Sequence, residues 1–387
     1  MLYRTFPRIP DKPISVLGFG MMRLPLEKSE PPDESRIDKT GAEELVQRAY
    51  EEGVNYYDTA YMYHKYKSEE FLGNTLHKLN IRKKVYIADK MPVWMIEKKD
   101  DWQIFLDTQL TRLKTDYIDF YLMHALNDKS WQKVQTLQGL DFLEKAKQEG
   151  KIRHIGFSFH HEPETFRAII DGYDNWEFCQ IQYNYLDENY QAGTEGLQYA
   201  YNKGIGVISM EPLRGGLLAK VPPAVTDIFA HAEVPRLPAE WALRWVWEHQ
   251  QIVTALSGMG TMEQLIANCA FASSAKPNSL PSSHIGVIEK AAQWFKSRVK
   301  APCTGCSYCM PCPSGVSIPE VFSAYNAASM RGAFENGNTR AYSEQYRSLV
   351  TKGRGADKCV LCGKCESLCP QHIPISGLLQ RVCSELY

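Results

Sequence analysis

A carboxylate and a phenol five residues apart, Asp58 and Tyr63 in the stretch NYYDTAYMY at 55–63, are the first residues whose types suit chemistry. Such a pair serves proton transfer if the carboxylate holds a cation that lowers the phenol pKa. Standing alone, it reads as a strand-capping acid and a surface tyrosine. A lysine, Lys90 in IADK, and a histidine, His124 in FYLMH, each close an apolar run farther on. The second chemical feature is sulfur. Of 11 cysteines only Cys179 and Cys269 precede residue 300, and eight of the others fall in two runs. These are Cys303-x2-Cys306-x2-Cys309-x2-Cys312-Pro and Cys359-x2-Cys362-x2-Cys365-x3-Cys369-Pro. A disulfide framework belongs to short exported chains. The start of this sequence, MLYRTFPRIPDKP, has neither the apolar segment nor the small-residue cleavage site of an export signal, so the expected address is cytoplasmic. Clustered thiols in that compartment read as metal ligands. Zinc takes Cys-x2-Cys pairs too, but two four-cysteine runs, each followed by proline, favour iron–sulfur clusters.

The elements that must position these residues follow from the alternation of helical and strand patterns. The sequence opens with an expected hairpin, Leu2–Phe6 and Ile14–Leu17, turning at Pro10–Pro13. Val16–Met22 reads as a buried strand; its G-x-G lacks the third glycine of a dinucleotide fingerprint. Pro25–Asp38 is polar, a loop or flap. From Thr40 onward, helix-length segments alternate with short apolar strands: Asn55–Asp58, Lys84–Lys90, Tyr117–His124, Ile152–Ser158, Phe178–Tyr183, Ile205–Met210 and Ile252–Ser257. A helix is expected at Ser68–Leu79 with Ser68 as its N-cap, and another at Leu137–Glu149. Eight strands, each followed by a helix-length segment, predict an α/β fold, a (β/α)8 TIM barrel. Active sites of that fold lie at the carboxyl ends of the strands, which is where Asp58, Lys90 and His124 fall, with Tyr63 in the loop after the second strand. The expected organisation is a barrel over 1–280, a linker and connecting helix over 281–300, and a smaller, mainly helical domain over 301–387. Hydrophobic content is 44%, charged content 23% and net charge −1. The composition is that of a soluble globular protein, with no basic field for nucleic acid and no apolar run of the ~18 residues that span a bilayer.

Asp58, Tyr63, Lys90 and His124, in that order and with the stretches D-T-A-x-x-Y, A-D-K-M-P and F-Y-L-M-H, resemble the catalytic tetrad of the aldo/keto reductases. The likeness covers about Leu2 to Ser274. It implies hydride transfer between a nicotinamide, NAD(H) or NADP(H), and the carbon of a small-molecule carbonyl substrate. Tyr63 would be the general acid, Lys90 the cation that lowers its pKa, Asp58 the partner that holds Lys90, and His124 a donor to the substrate oxygen. The resemblance also implies cofactor contacts. Gly20 and Met21 end the first strand, and Ser158 and Gln180 match the nicotinamide carboxamide positions. Met210, Pro212, Leu213, Arg214 and Gly215 match the loop around the pyrophosphate, and Gln264 and Asn268 lie on the adenosine side. Phe159 replaces the usual Asn. Gly258 and Gln264 stand where NADP-preferring members carry Lys and Arg, which leaves a 2′-phosphate without charge-assisted partners and makes NADH an equal expectation.

The tail resembles a two-cluster ferredoxin domain, in which the fourth cysteine of each run crosses to the other cluster. This implies two [4Fe–4S] clusters, one on Cys303, Cys306, Cys309 and Cys369, the other on Cys359, Cys362, Cys365 and Cys312. Joined to the barrel, the clusters make an oxidoreductase that exchanges single electrons with an external carrier such as a ferredoxin or flavodoxin. A hydride carries two electrons and a cubane one. A flavin would join the two, but no flavin motif is visible. The rival reading is a non-catalytic, nicotinamide-binding electron relay or redox sensor. Trp94 and Trp131 are candidate walls of the pocket mouth.

Overall fold

The computed structural model describes residues 1–29, 33–303, 305, 309–335, 337, 339, 343–369 and 372–386. Eight parallel strands close into a barrel: β3 (Leu17–Gly20), β4 (Tyr56–Asp58), β5 (Tyr86–Met91), β6 (Ile118–Leu126), β7 (Ile152–Phe159), β8 (Phe178–Gln182), β9 (Gly206–Met210) and β10 (Ile252–Ser257), with β10 pairing to β3. Their near-continuous burial is what helices on the outside of a parallel sheet require. A separate antiparallel hairpin, β1 (Tyr3–Phe6) and β2 (Ile9–Ser15), precedes the barrel. Its turn falls at 7–8, not at Pro10–Pro13. Those prolines lie inside β2, a strand of a two-stranded ribbon with an open edge, where a missing N–H breaks no ladder.

The hairpin closes one end of the barrel. Phe6 stacks 5.3 Å from Phe120 and 5.7 Å from Phe178, and Tyr56 lies 5.2 Å from Phe120. A Cβ on Gly206 would lie 2.1 Å from the Phe6 ring, and one on Gly156 2.6 Å from Phe178, so glycine at these positions makes room for the aromatic plug. Phe178 and Gly206 open their strands, so the plugged end is the amino end and the carboxyl end is left for a site.

Outside lie α1 (Lys39–Glu51), α2 (Ser68–Lys78), α3 (Lys99–Leu113), α4 (Asp128–Thr136), α5 (Gly139–Gln148), α6 (Pro163–Asp171), α7 (Gly193–Asn202), α9 (Pro238–Glu248) and α10 (Met262–Ala272). Asp38 caps α1 by accepting from the Gly41 N–H at 3.2 Å. Ser68 is not a cap: it is the first residue of α2, fully buried, with its hydroxyl bonded to Thr59 at 2.8 Å. The expected helix Leu137–Glu149 is α5, and a helix the sequence reading did not name, α4, precedes it. Asn127 and Ser130 form a capping box that starts α4.

The chain divides into two compact units, Met1–Ala219 with Ala239–Ile285, and Lys220–Pro238 with Gly286–Tyr387. The stretch Lys220–Pro238, which carries α8 (Pro223–Ala230), thus groups with the second unit although the sequence reading gave it to the barrel. The second unit contains most of α11 (Ser282–Lys296), then α12 (Ile318–Met330) and helices at Glu344–Thr351, Lys364–Ser367 and Ile375–Leu386. Its core is built on Val321, Phe322, Tyr325, Tyr346, Leu379 and Val382. Among the described residues no helix is long and apolar enough to cross a membrane.

Candidate active site and candidate cluster site

Strand alternation sends every second side chain into the barrel. Along β5, Ala88 and Lys90 face inward and Asp89 faces the helices; along β6, Phe120, Leu122 and His124 take the inward face. The last inward position of β4 is Asp58, of β5 Lys90, of β7 Ser158 and of β8 Gln180 or its neighbour Gln182. The strand ends named from sequence therefore surround one mouth.

The Lys90 ammonium is its centre. It donates to Asp58 Oδ1 at 2.6 Å and to the Thr59 carbonyl at 2.7 Å, and its Nζ lies 3.4 Å from the Tyr63 oxygen and 4.8 Å from the Tyr63 ring centre. Asp58 and Lys90 are almost completely buried, at 2% and 1% exposure. Burial works against the Lys90 charge, but the Asp58 carboxylate, by charge and by hydrogen bond, raises its pKa above the ordinary value, so it stays an ammonium. Asp58 is pushed up by burial and pulled down by Lys90, and its Oδ2 has no partner among the described residues. Burial likewise raises the Tyr63 phenol; Lys90 opposes the rise without cancelling it. Here the structure departs from the sequence reading, which had Lys90 bringing the phenol below its ordinary value.

His124 stands edge-on to Tyr63, ring centres 6.3 Å apart, with the half-exposed Trp94 ring 5.0 Å from it. Burial first, then Lys90 and His160, hold its pKa well below 6.5, so the imidazole is neutral. Its buried Nδ1 has no partner among the described residues. Trp94 thus reaches the mouth. Trp131 does not: it is buried against Trp176 at 6.3 Å, a core contact.

The expected cofactor residues line the same end. Ser158 Oγ accepts from the Ala125 N–H at 2.8 Å, which leaves its own proton to donate. Gln180 lies beside Met210, Nε2 to Sδ 3.6 Å, and its buried Oε1 has no partner among the described residues. An acceptor stranded in this way costs free energy unless a donor arrives, and a carboxamide NH2 is such a donor. Gly20 and the buried Met21 end β3 and begin a short 3-10 turn. Pro212, Leu213, Arg214 and Gly215 form the loop after β9, where Gly215 and Gly216 have φ of 63° and 94°, and Arg214 Nε pairs with Asp187 at 3.0 Å. Asn268 is buried and donates to Ser257 Oγ at 3.2 Å. Gln264 turns back on its own loop and accepts from the Gly260 N–H at 3.0 Å. Sequence reasoning missed Arg23. Its guanidinium Nη1 lies 3.5 Å from the Gly215 carbonyl, and its stem packs on Gly258, so a cation does stand on this side of the mouth.

In the second unit, Cys312, Cys359, Cys362 and Cys365 line one shallow surface hollow. Burial raises the Cys365 thiol, with Cys359 and Cys312 near enough to add to the rise. Among the described residues no three His, Cys, Asp or Glu side chains converge on a single metal position. A cubane does not ask for that, because each thiolate meets a different iron and the sulfurs surround a hollow. Cys303, Cys309 and Cys369 pack on the same apolar core as Cys312, Cys359 and Cys365, and the Gly305 N–H donates to Cys303 Sγ at 3.4 Å. Cys306 lies outside the described residues.

Residues 16–280 match the aldo/keto reductase family, and residues 302–374 match a 4Fe-4S dicluster domain. An uncharacterised oxidoreductase of Bacillus subtilis, YqkF, is 28% identical over 223 residues, 55% of this chain and 65% of that protein. The L-galactose dehydrogenase of Arabidopsis thaliana is 26% identical over 66% of this chain and 84% of its own length. Among solved structures, the holo form of aldo-keto reductase AKR11C1 from Bacillus halodurans superposes with a TM-score of 0.59 at 25% identity, over 75% of this chain and 96% of that one. With eight parallel strands closed around the mouth described above, the chain belongs to the aldo/keto reductase family of oxidoreductases and carries a 4Fe-4S dicluster domain C-terminal to the barrel.

Proposed function

We propose that the protein interconverts a small-molecule carbonyl and its alcohol with NADH or NADPH at the barrel mouth, and that this reaction is coupled to or modulated by two [4Fe–4S] clusters, whose own electron partner is an external one-electron carrier such as a ferredoxin or flavodoxin. The observation that supports it most is a buried ammonium paired with Asp58 and set 3.4 Å from a phenol oxygen.

Tyr63 gives its proton to the substrate oxygen. The charge left on the phenolate then faces Lys90, a cation already in place before charge develops. Asp58 fixes that cation, and neutral His124 orients the same substrate oxygen. A bound nicotinamide supplies the hydride, and the unpartnered Gln180 oxygen together with the Ser158 hydroxyl would hold its carboxamide. The loop 211–216 and Arg23 would hold the phosphates. In the tail, Cys312, Cys359, Cys362 and Cys365 would hold one cluster, and Cys303, Cys306, Cys309 and Cys369 the other; a bound cluster passes single electrons.

The test is carbonyl-dependent NAD(P)H oxidation by the full chain beside Tyr63→Phe. Loss of the acid lowers kcat by about 10²–10⁴-fold, while nucleotide binding is unchanged. Equal rates in the two proteins refute Tyr63 as the proton donor. Tight nucleotide binding with no turnover in either would favour the electron-relay reading.

A further inference from the structure

Asp89 lies on the outer face of β5, between α2 and α3, in a cage the reaction does not use. Glu69, Asp89, Gln109 and Tyr121 are all fully buried there. The cage grips both backbone groups of Lys90: its N–H donates to Asp89 Oδ1 at 2.8 Å, and its carbonyl accepts from Gln109 Nε2 at 3.0 Å. The same Gln109 nitrogen donates to Asp89 Oδ2 at 2.9 Å and to Glu69 Oε1 at 3.1 Å, so two hydrogens serve three acceptors. The Tyr121 hydroxyl donates to Gln109 Oε1 at 2.5 Å, which fixes the amide's orientation. Glu69 Oε2 accepts from Arg112 at 2.8 Å.

We propose that Gln109 is a positioning residue which, by tying Lys90 to a buried Glu69–Asp89 carboxyl pair that shares one proton, fixes where the Lys90 ammonium stands against Tyr63. This rests on the reading of Tyr63 and Lys90 given above. Two carboxyls in hydrogen-bond contact inside a protein cannot both be ionised, and the acid held neutral here is Asp89, raised by burial and then by Glu69. The charges then balance: Arg112 answers Glu69, and Lys90 answers Asp58. An ionised Asp89 would compete with Asp58 for Lys90 and would raise Tyr63 further. The groups facing Asp89 are Lys90 on its own strand, Glu69 from α2, Gln109 and Arg112 from α3, and Tyr121 from β6.

Infrared difference spectra of the full-length chain, wild type minus Asp89→Asn at neutral pH, test the shared proton without any need for activity. The carbonyl-stretch band of a protonated carboxylic acid is expected in the wild type and absent from the variant; a wild type without it overturns the proposal. The second arm is the pH profile of kcat/KM for NADPH-dependent reduction of 4-nitrobenzaldehyde. Gln109→Leu lowers kcat by about 10- to 100-fold, as a small displacement of a reacting group does, and moves the acid's apparent pKa, with the NADPH Kd unchanged. An unmoved profile in Gln109→Leu overturns the proposal. If Gln109→Leu does not fold, the infrared band still decides. A wild type that reduces no carbonyl probe refutes the reductase reading instead, and leaves the band to answer for the cage.

Discussion

Burial and charge act against each other on Tyr63, and burial wins: its proton stays on at neutral pH and is available to give. The value of Lys90 lies in the phenolate state, where a fixed cation 3.4 Å away offsets new charge in a dry site. His124 obeys the same physics with the opposite sign. The folded chain refuses its proton, whereas the unfolded chain accepts one near pH ~6.5. The stability that depends on a neutral His124 is therefore present above that pH and lost as pH falls below it. Replacing His124 with Gln should flatten the decline of the urea midpoint between pH 7 and 5; an equally steep decline in the variant would show that His124 does not carry it. His160 and His249, also lowered by burial, account for what decline remains.

Among elements, the α2–α3 contact is the tightest support of the site. A Cβ on Gly73 of α2 would lie 2.5 Å from the backbone of Leu113 and 2.6 Å from the Arg112 carbonyl in α3. Gly73→Ala should cost about 1–3 kcal/mol, as overpacking does, and it should lower Tm; an unchanged Tm would mean that the helices do not need this approach. The strand rhythm and the strand-end residues were legible in the sequence because a parallel sheet covered on both faces demands apolar runs of strand length, and because Asp58, Lys90 and His124 end three of them. Other features were hidden. The hairpin turn was misplaced because prolines read as turn residues unless it is known that their strand has an open edge. Helix α4 was missed although Asn127-x-x-Ser130 announces a helix start. Gln109 and Arg23 carry no motif. Their partners, Lys90 and Gly215, lie 19 and 192 positions away in the chain and meet them only through the fold.

At the scale of the whole molecule, one chain joins a site for two-electron chemistry to a domain whose cysteine spacing suits one-electron carriers. The cysteine runs were readable at once, because few other chemistries ask for eight thiols in that spacing. Assembly of Cys312 with the second run around one hollow shows that the fold brings distant parts of the runs together. Cys312→Ser should reduce the iron content of anaerobically purified protein by about half, since one cubane of two loses a corner ligand, and it should leave the barrel's Tm unaffected. Full iron content in the variant would remove Cys312 from the ligand set. The most direct test of the central claim follows the label from a nicotinamide carrying deuterium at both C4 positions into the alcohol product. Hydride transfer at the barrel mouth puts deuterium on the carbinol carbon, delivered from one face of the nicotinamide. A reduced product without the label would mean that its electrons came one at a time and its proton from water, and the mouth built by Asp58, Tyr63, Lys90 and His124 would not be where reduction occurs.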